Sequence, residues 1–182
     1  GMEYHLSHSN GYVGWVAATK VYAGTAGSWG DGYLEFSTAG ASGGNAVETQ
    51  RLQNGYVTTP NQPSFQVYVG GTWSSYITQD TWYQMPFNTT AFNTGGHYST
   101  SSYNFTAPVA GKYLFIFNVY AHHNNTGDNN DYFSVRFGVN GGTQNYHSIN
   151  GYQNQGDDDT TTSQSTILSL AQNDTVQVFI RG

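Results

Sequence analysis

The sequence contains no cysteine, so no disulfide holds the fold and no thiolate serves as nucleophile or metal ligand. Charge is nearly as scarce. Asp, Glu, Lys and Arg together make up 9% of the residues, against about 25% in ordinary globular domains. The basic residues are spread out as Lys20, Arg51, Lys112, Arg136 and Arg181. With a formal net charge of −6 and no basic patch, the chain cannot neutralise a run of phosphates, and neither nucleic acid nor an anionic membrane surface is an expected partner. No apolar run approaches the roughly 20 residues that span a bilayer, so membrane insertion is not expected. Runs of strong helix formers are missing as well.

What the chain has is glycine and aromatics: 23 Gly, 15 Tyr and 10 Phe, with 16% of residues aromatic. Disordered chains are poor in aromatics and rich in charge, so this composition implies a folded protein with a neutral polar surface. Tyr, Phe, Val and Thr suit a pleated sheet, and Gly and Asn tolerate the positive φ of tight turns. The fold class expected is all-β.

Along the chain, short strands are expected at Tyr12–Tyr22, Tyr33–Ser37, Val47–Leu52 and Tyr56–Val57, the last two joined by an Asn54-Gly55 turn. Thr58–Pro63 carries two prolines and reads as an extended connector. The boundary is therefore set there, giving a β-rich stem segment over 1–62 and a second domain over 63–182. Three or four short strands are marginal alone, so the stem segment needs something else to cover its apolar face. In the second domain, strands are expected at Phe65–Val69, Trp73–Ile77, Trp82–Phe87, Tyr103–Phe105, Lys112–Tyr120, Tyr132–Val139, Thr166–Leu170 and Thr175–Ile180. Lys112–Tyr120 is apolar at both odd and even positions, which predicts a central strand buried on both faces.

The residues Phe87, Asn93, Tyr98, Phe105, Gly111 and Tyr113 fall in the order F-x5-N-x4-Y-x6-F-x5-G-x-Y. This spacing resembles the signature of C1q-like globular heads, the trimeric relatives of tumour necrosis factor. Pro63–Val69 is similar to the opening strand of such heads. Thr166–Ile180 is similar to their late hairpin, with Asn173 where the family usually has Gly. The resemblance covers residues 63–181 and implies an antiparallel jelly-roll sandwich, homotrimeric assembly and no enzymatic activity. Family heads normally continue past the late hairpin to a final strand in the middle of the inner sheet, and the head here is expected to lack it. Glu48, Arg51, Leu52, Gly55 and Val57 resemble a segment that precedes C1q-like heads in phage tail fibres.

No catalytic set emerges. None of the His residues stands in an HExxH spacing, and no glycine-flanked nucleophile elbow is present. His122 and His123 follow the central strand, and Tyr146, His147, Tyr152 and Asn154 form a second cluster of aromatic and amide groups. Both are expected in loops, where binding modules place specificity. Flat aromatics beside amides suit a sugar's apolar face and hydroxyls, although Tyr and Asn are common throughout this chain. Asp128 and Asp131, with Asp157, Asp158 and Asp159, offer the clustered oxygens that calcium takes; the bland alternative is a pair of solvated acidic loops. The resemblance thus implies a trimeric receptor-binding or adhesion module that recognises cell-surface glycans, located in a virion tail fibre or outside the cell. The competing expectation is a structural trimerisation head with no ligand of its own.

Overall fold

The computed structural model describes residues 3–7, 13–22, 33–38, 47–71, 73, 80–122, 132–142, 146–152 and 159–181. All regular structure among them is β-strand. The chain separates into two compact units, Gly1–Pro63 and Ser64–Gly182.

Unit 1 is one antiparallel sheet of five strands in chain order: β1 (Glu3–Ser7), β2 (Val13–Tyr22), β3 (Tyr33–Thr38), β4 (Val47–Gln53) and β5 (Tyr56–Thr58). The β4–β5 turn sits at Asn54 and Gly55, with φ of 52° and 79°. Two positive φ values in succession match the right-handed twist of the strands on either side, which is why Asn-Gly marks a hairpin. β1 was not anticipated from the sequence.

Unit 2 holds β6 (Ser64–Tyr68), β7 (Tyr83–Gln84), β8 (Thr89–Thr94), β9 (Tyr98–Ser99), β10 (Asn104–Thr106), β11 (Gly111–His122), β12 (Tyr132–Val139), β13 (Tyr146–Tyr152), β14 (Asp159–Leu170) and β15 (Thr175–Arg181). One layer runs β13-β12-β15-β10-β9, and β7 shares with β10 the edge of β15 opposite β12. The facing layer consists of two antiparallel pairs, β11 with β14 and β6 with β8. Between the layers lies the core. Phe105, Val135, Phe137, Val176 and Ile180 come from the first layer, and Phe115, Phe117, Val119, Leu168 and Leu170 from the second. Phe105 is its hub: Phe65, Tyr113 and Phe115 all place ring centroids within 5.5 Å of it. Such aromatic pairs contribute about 0.5–1.5 kcal/mol each beyond the area they bury.

Several sequence expectations are corrected here. β11 is not a central strand buried on both faces: it pairs with β14 alone among the described residues, and it buries one face only. Phe115, Phe117 and Val119 point into the core, while Leu114 and Ile116 on the other face are 63% and 65% exposed. The strand expected at Trp82–Phe87 shrinks to Tyr83–Gln84. β8, β9, β13 and the first half of β14 are strands that the sequence reading does not predict. Apart from Trp73 itself, which lies outside any strand, the strand expected at Trp73–Ile77 lies outside the described residues.

Candidate functional site

The signature residues of the sequence form a structural unit around one turn. Gly95 and Gly96 adopt φ of 78° and 70°, which a side chain would oppose. The Asn93 amide Nδ2 donates to the Tyr98 carbonyl at 2.8 Å, and the Tyr98 N–H donates to Asn93 Oδ1 at 3.1 Å. Tyr98 Oη then donates to the Phe87 carbonyl at 3.1 Å, and burial pushes its pKa up. Phe105 is 2% exposed. Tyr113 Oη donates to the Val109 carbonyl at 2.7 Å, closing the bend that Gly111 ends. The six residues therefore act through packing and turn geometry.

A second hydrogen-bonded knot ties the late hairpin to the β12 terminus. Asn140, at φ 55°, donates from Nδ2 to Asp174 Oδ1 and accepts from the Thr175 N–H on Oδ1, each at 2.8 Å. The Ala171 N–H donates to Asp174 Oδ2 at 2.8 Å. The Asn140 and Ala171 donors hold the Asp174 carboxyl below the usual carboxylate range. Asn173 sits at φ 70° in this turn, so the Asn that stands where Gly was expected does adopt the left-handed conformation.

Strand register locates the backbone of those candidate residues that the structure describes. His122, the last residue of β11, stands opposite Asp159, the first of β14. Tyr132 at the start of β12 stands opposite Tyr152 at the end of β13. Segment 123–131 leaves from His122 to Tyr132, and segment 153–158 leaves from Tyr152 to Asp159. Tyr146, His147 and Tyr152 are not in a loop, contrary to expectation: they belong to β13, and Tyr146 pairs with Phe137 towards its opposite end. At roughly 3.3 Å per residue β13 separates the backbone of Tyr146 from that of Tyr152 by about 20 Å. His122 and Asp159 likewise close strands instead of lying in loops. His123, Asp128, Asp131, Asn154, Asp157 and Asp158 lie outside the described residues. Among the described residues no group of three His, Cys, Asp or Glu gathers to hold a metal ion.

One arrangement had no signal in the sequence beyond the rarity of arginine. The Arg136 guanidinium lies 3.6 Å from the centre of the Trp82 ring, and that of Arg181 lies 5.1 Å from it. Arg181 also meets Asp80 at 3.6 Å. Burial, and then the like charge of Arg181, lower the Arg136 pKa. Three residues far apart in the chain meet because β15 pairs with both β12 and β7, the latter beginning one residue after Trp82.

Comparison with known proteins follows the same lines. The fold is similar to the globular domain of zebrafish complement 1qA protein, with a TM-score of 0.50 and 17% sequence identity, over 66% of this chain and 80% of that one. No curated protein sequence is similar to the chain. No helix among the described residues is long and apolar enough to cross a membrane. The C1q domain family model matches residues 69–181, more than half of the sequence and nearly all of unit 2. By that match, and with the jelly-roll layers described above, the chain belongs to the C1q domain family.

Proposed function

We propose that the chain is a homotrimeric binding module without catalytic activity, which presents the end of unit 2 marked by His122 and Asp159 to a cell-surface glycan. The observation that supports this reading is the register pairing of His122 with Asp159 at one end of the β11–β14 pair, together with that of Tyr132 with Tyr152 at one end of the β12–β13 pair. Binding modules commonly place specificity on loops held by a rigid scaffold. The family is one of structural and recognition modules, and the glycan assignment rests on residue chemistry at that end. Three weak sites on one trimer combine into strong avidity, which suits adsorption to a repeating surface polymer. A fibre tip on a virion, or an extracellular adhesin, would use such a module in this way.

Trimerisation is supported by an apolar face on the β11–β14 pair. Leu114 stands opposite Ile167, which is 66% exposed, and Ile116 lies two residues on along the same face. Fully covering a Leu or Ile side chain is worth about 1.5–3 kcal/mol, so three copies sharing such a face gain substantially. Calcium is the ion suited to the Asp residues of 128–131 and 157–159, and titration with and without a chelator tests for it.

The experiment is a polysaccharide array probed with the intact chain, alongside variants with Tyr152→Ala and His122→Ala. The reading predicts binding to at least one surface polymer, weakened tenfold or more by either substitution. A trimer that binds no polymer would instead make the head a trimerisation device.

A further inference from the structure

Unit 1 lies outside the C1q match, and its sheet is covered on the unexpected side. On β3, Glu35 is 8% and Ser37 2% exposed, while Phe36 between them is 39% exposed. Cross-strand register extends the contrast over three strands. Leu34 stands opposite Leu52, and Leu52 opposite Val57, so the three share one face with Phe36. Val57 is 61% exposed. The other face carries Glu35 opposite Arg51, and Arg51 opposite Thr58. A bulge after Phe36 rotates Glu48 onto that face too. There Arg51 Nε donates to Glu48 Oε1 at 2.8 Å, and the guanidinium lies 4.2 Å from the centre of the Tyr33 ring. Ser37 Oγ donates to the Glu35 carboxylate. The charged face is furnished with its own partners, while Phe36, Leu52 and Val57 on the apolar face are exposed.

We propose that the Leu34, Leu52 and Val57 face of unit 1 packs against the same face of other copies of this chain, so that the stem and the head both contribute to the trimer. A single sheet with an apolar face needs a second layer to be stable. The occupant follows from tether length and charge. β5 ends at Thr58 and β6 begins at Ser64, so the intervening five residues reach at most about 18 Å. Heads joined as a trimer would hold three copies of unit 1 at an effective concentration in the millimolar range. Leu34, Phe36, Leu52 and Val57 carry no charge, so these residues on identical faces do not repel. The inference rests on the trimeric reading of the head, and its test separates the two.

The chain has no cysteine, so Val57→Cys places a single thiol on the apolar face and Thr58→Cys a single thiol on the charged face, at neighbouring positions in the chain. Each full-length variant is treated with a short bis-maleimide after its molar mass is measured by light scattering. The expected result is a trimeric mass for both, with cross-linked pairs of chains at least fivefold more abundant for Val57→Cys. Adding Leu52→Asp to Val57→Cys should remove the cross-link and leave the trimeric mass. A trimer in which the two thiols cross-link equally, or neither does, overturns the stem interface and leaves the head reading standing. A single-chain mass overturns both.

Discussion

Asn93 and Tyr98 exchange two hydrogen bonds across the turn that holds Gly95 and Gly96, and this side chain-to-backbone clamp sets the position of the Tyr98 ring in the core. The ring stacks on Phe65 at 5.1 Å between centroids. A buried or half-buried polar group left without its partner costs about 1–3 kcal/mol. Asn93→Ala is therefore expected to lower stability by that amount in urea unfolding. Tyr98→Phe removes only the bond to the Phe87 carbonyl and should cost about 1 kcal/mol.

Asp174 makes stability depend on acid. Its carboxyl is held below the usual range by the Asn140 amide and the Ala171 N–H, so its folded pKa lies below the unfolded one. The stabilisation is complete above the ordinary carboxylate pKa, and it is lost as pH falls through the lowered value. Asp174→Asn should lower the melting temperature at pH 7, and the gap to the unsubstituted protein should narrow as the pH falls into and below the ordinary carboxylate range.

Much of the head was legible because its turns demand particular residues. Gly95, Gly96 and Asn173 all take positive φ, and a spacing that includes such positions survives translation into structure. The β11 assignment failed on its faces, because Leu114 and Ile116 are as apolar as Phe115 and Phe117 and periodicity cannot say which face lacks a partner. β13 went unseen because Tyr146–Tyr152 is polar and contains Gly151, which reads as loop until β12 supplies its hydrogen bonds. The pairing of His122 with Asp159 was invisible for another reason. It depends on the register of two strands that lie far apart in the chain.

Arg136 is 2% exposed and rests on Trp82. A desolvated cation–π contact is worth about 2 kcal/mol or more. Trp82→Ala should destabilise the chain by at least that in urea unfolding, through both the lost contact and the lost cover, whereas Trp82→Phe should recover part of it. A fall below 0.5 kcal/mol for the alanine variant would mean that other groups carry the Arg136 side chain.

β6 and β11 both reach Phe105 through Phe65 and Phe115, yet each pairs with a different strand and not with the other. One backbone edge of β11 is therefore open among the described residues. Hydrogen exchange should show alternate amides along 113–119 protected by β14, with their neighbours exchanging at least a hundredfold faster. Uniform protection along the strand would show that a further strand occupies that edge.

The assembly of the head is tested most directly by the molar mass of the purified chain in solution, measured by light scattering. Three times the chain mass of 19.9 kDa is expected, falling to a single chain mass when Ile116→Asp places a charge on the open β11–β14 face. A single chain mass for the unsubstituted protein would contradict the trimeric reading, and the avidity mechanism with it.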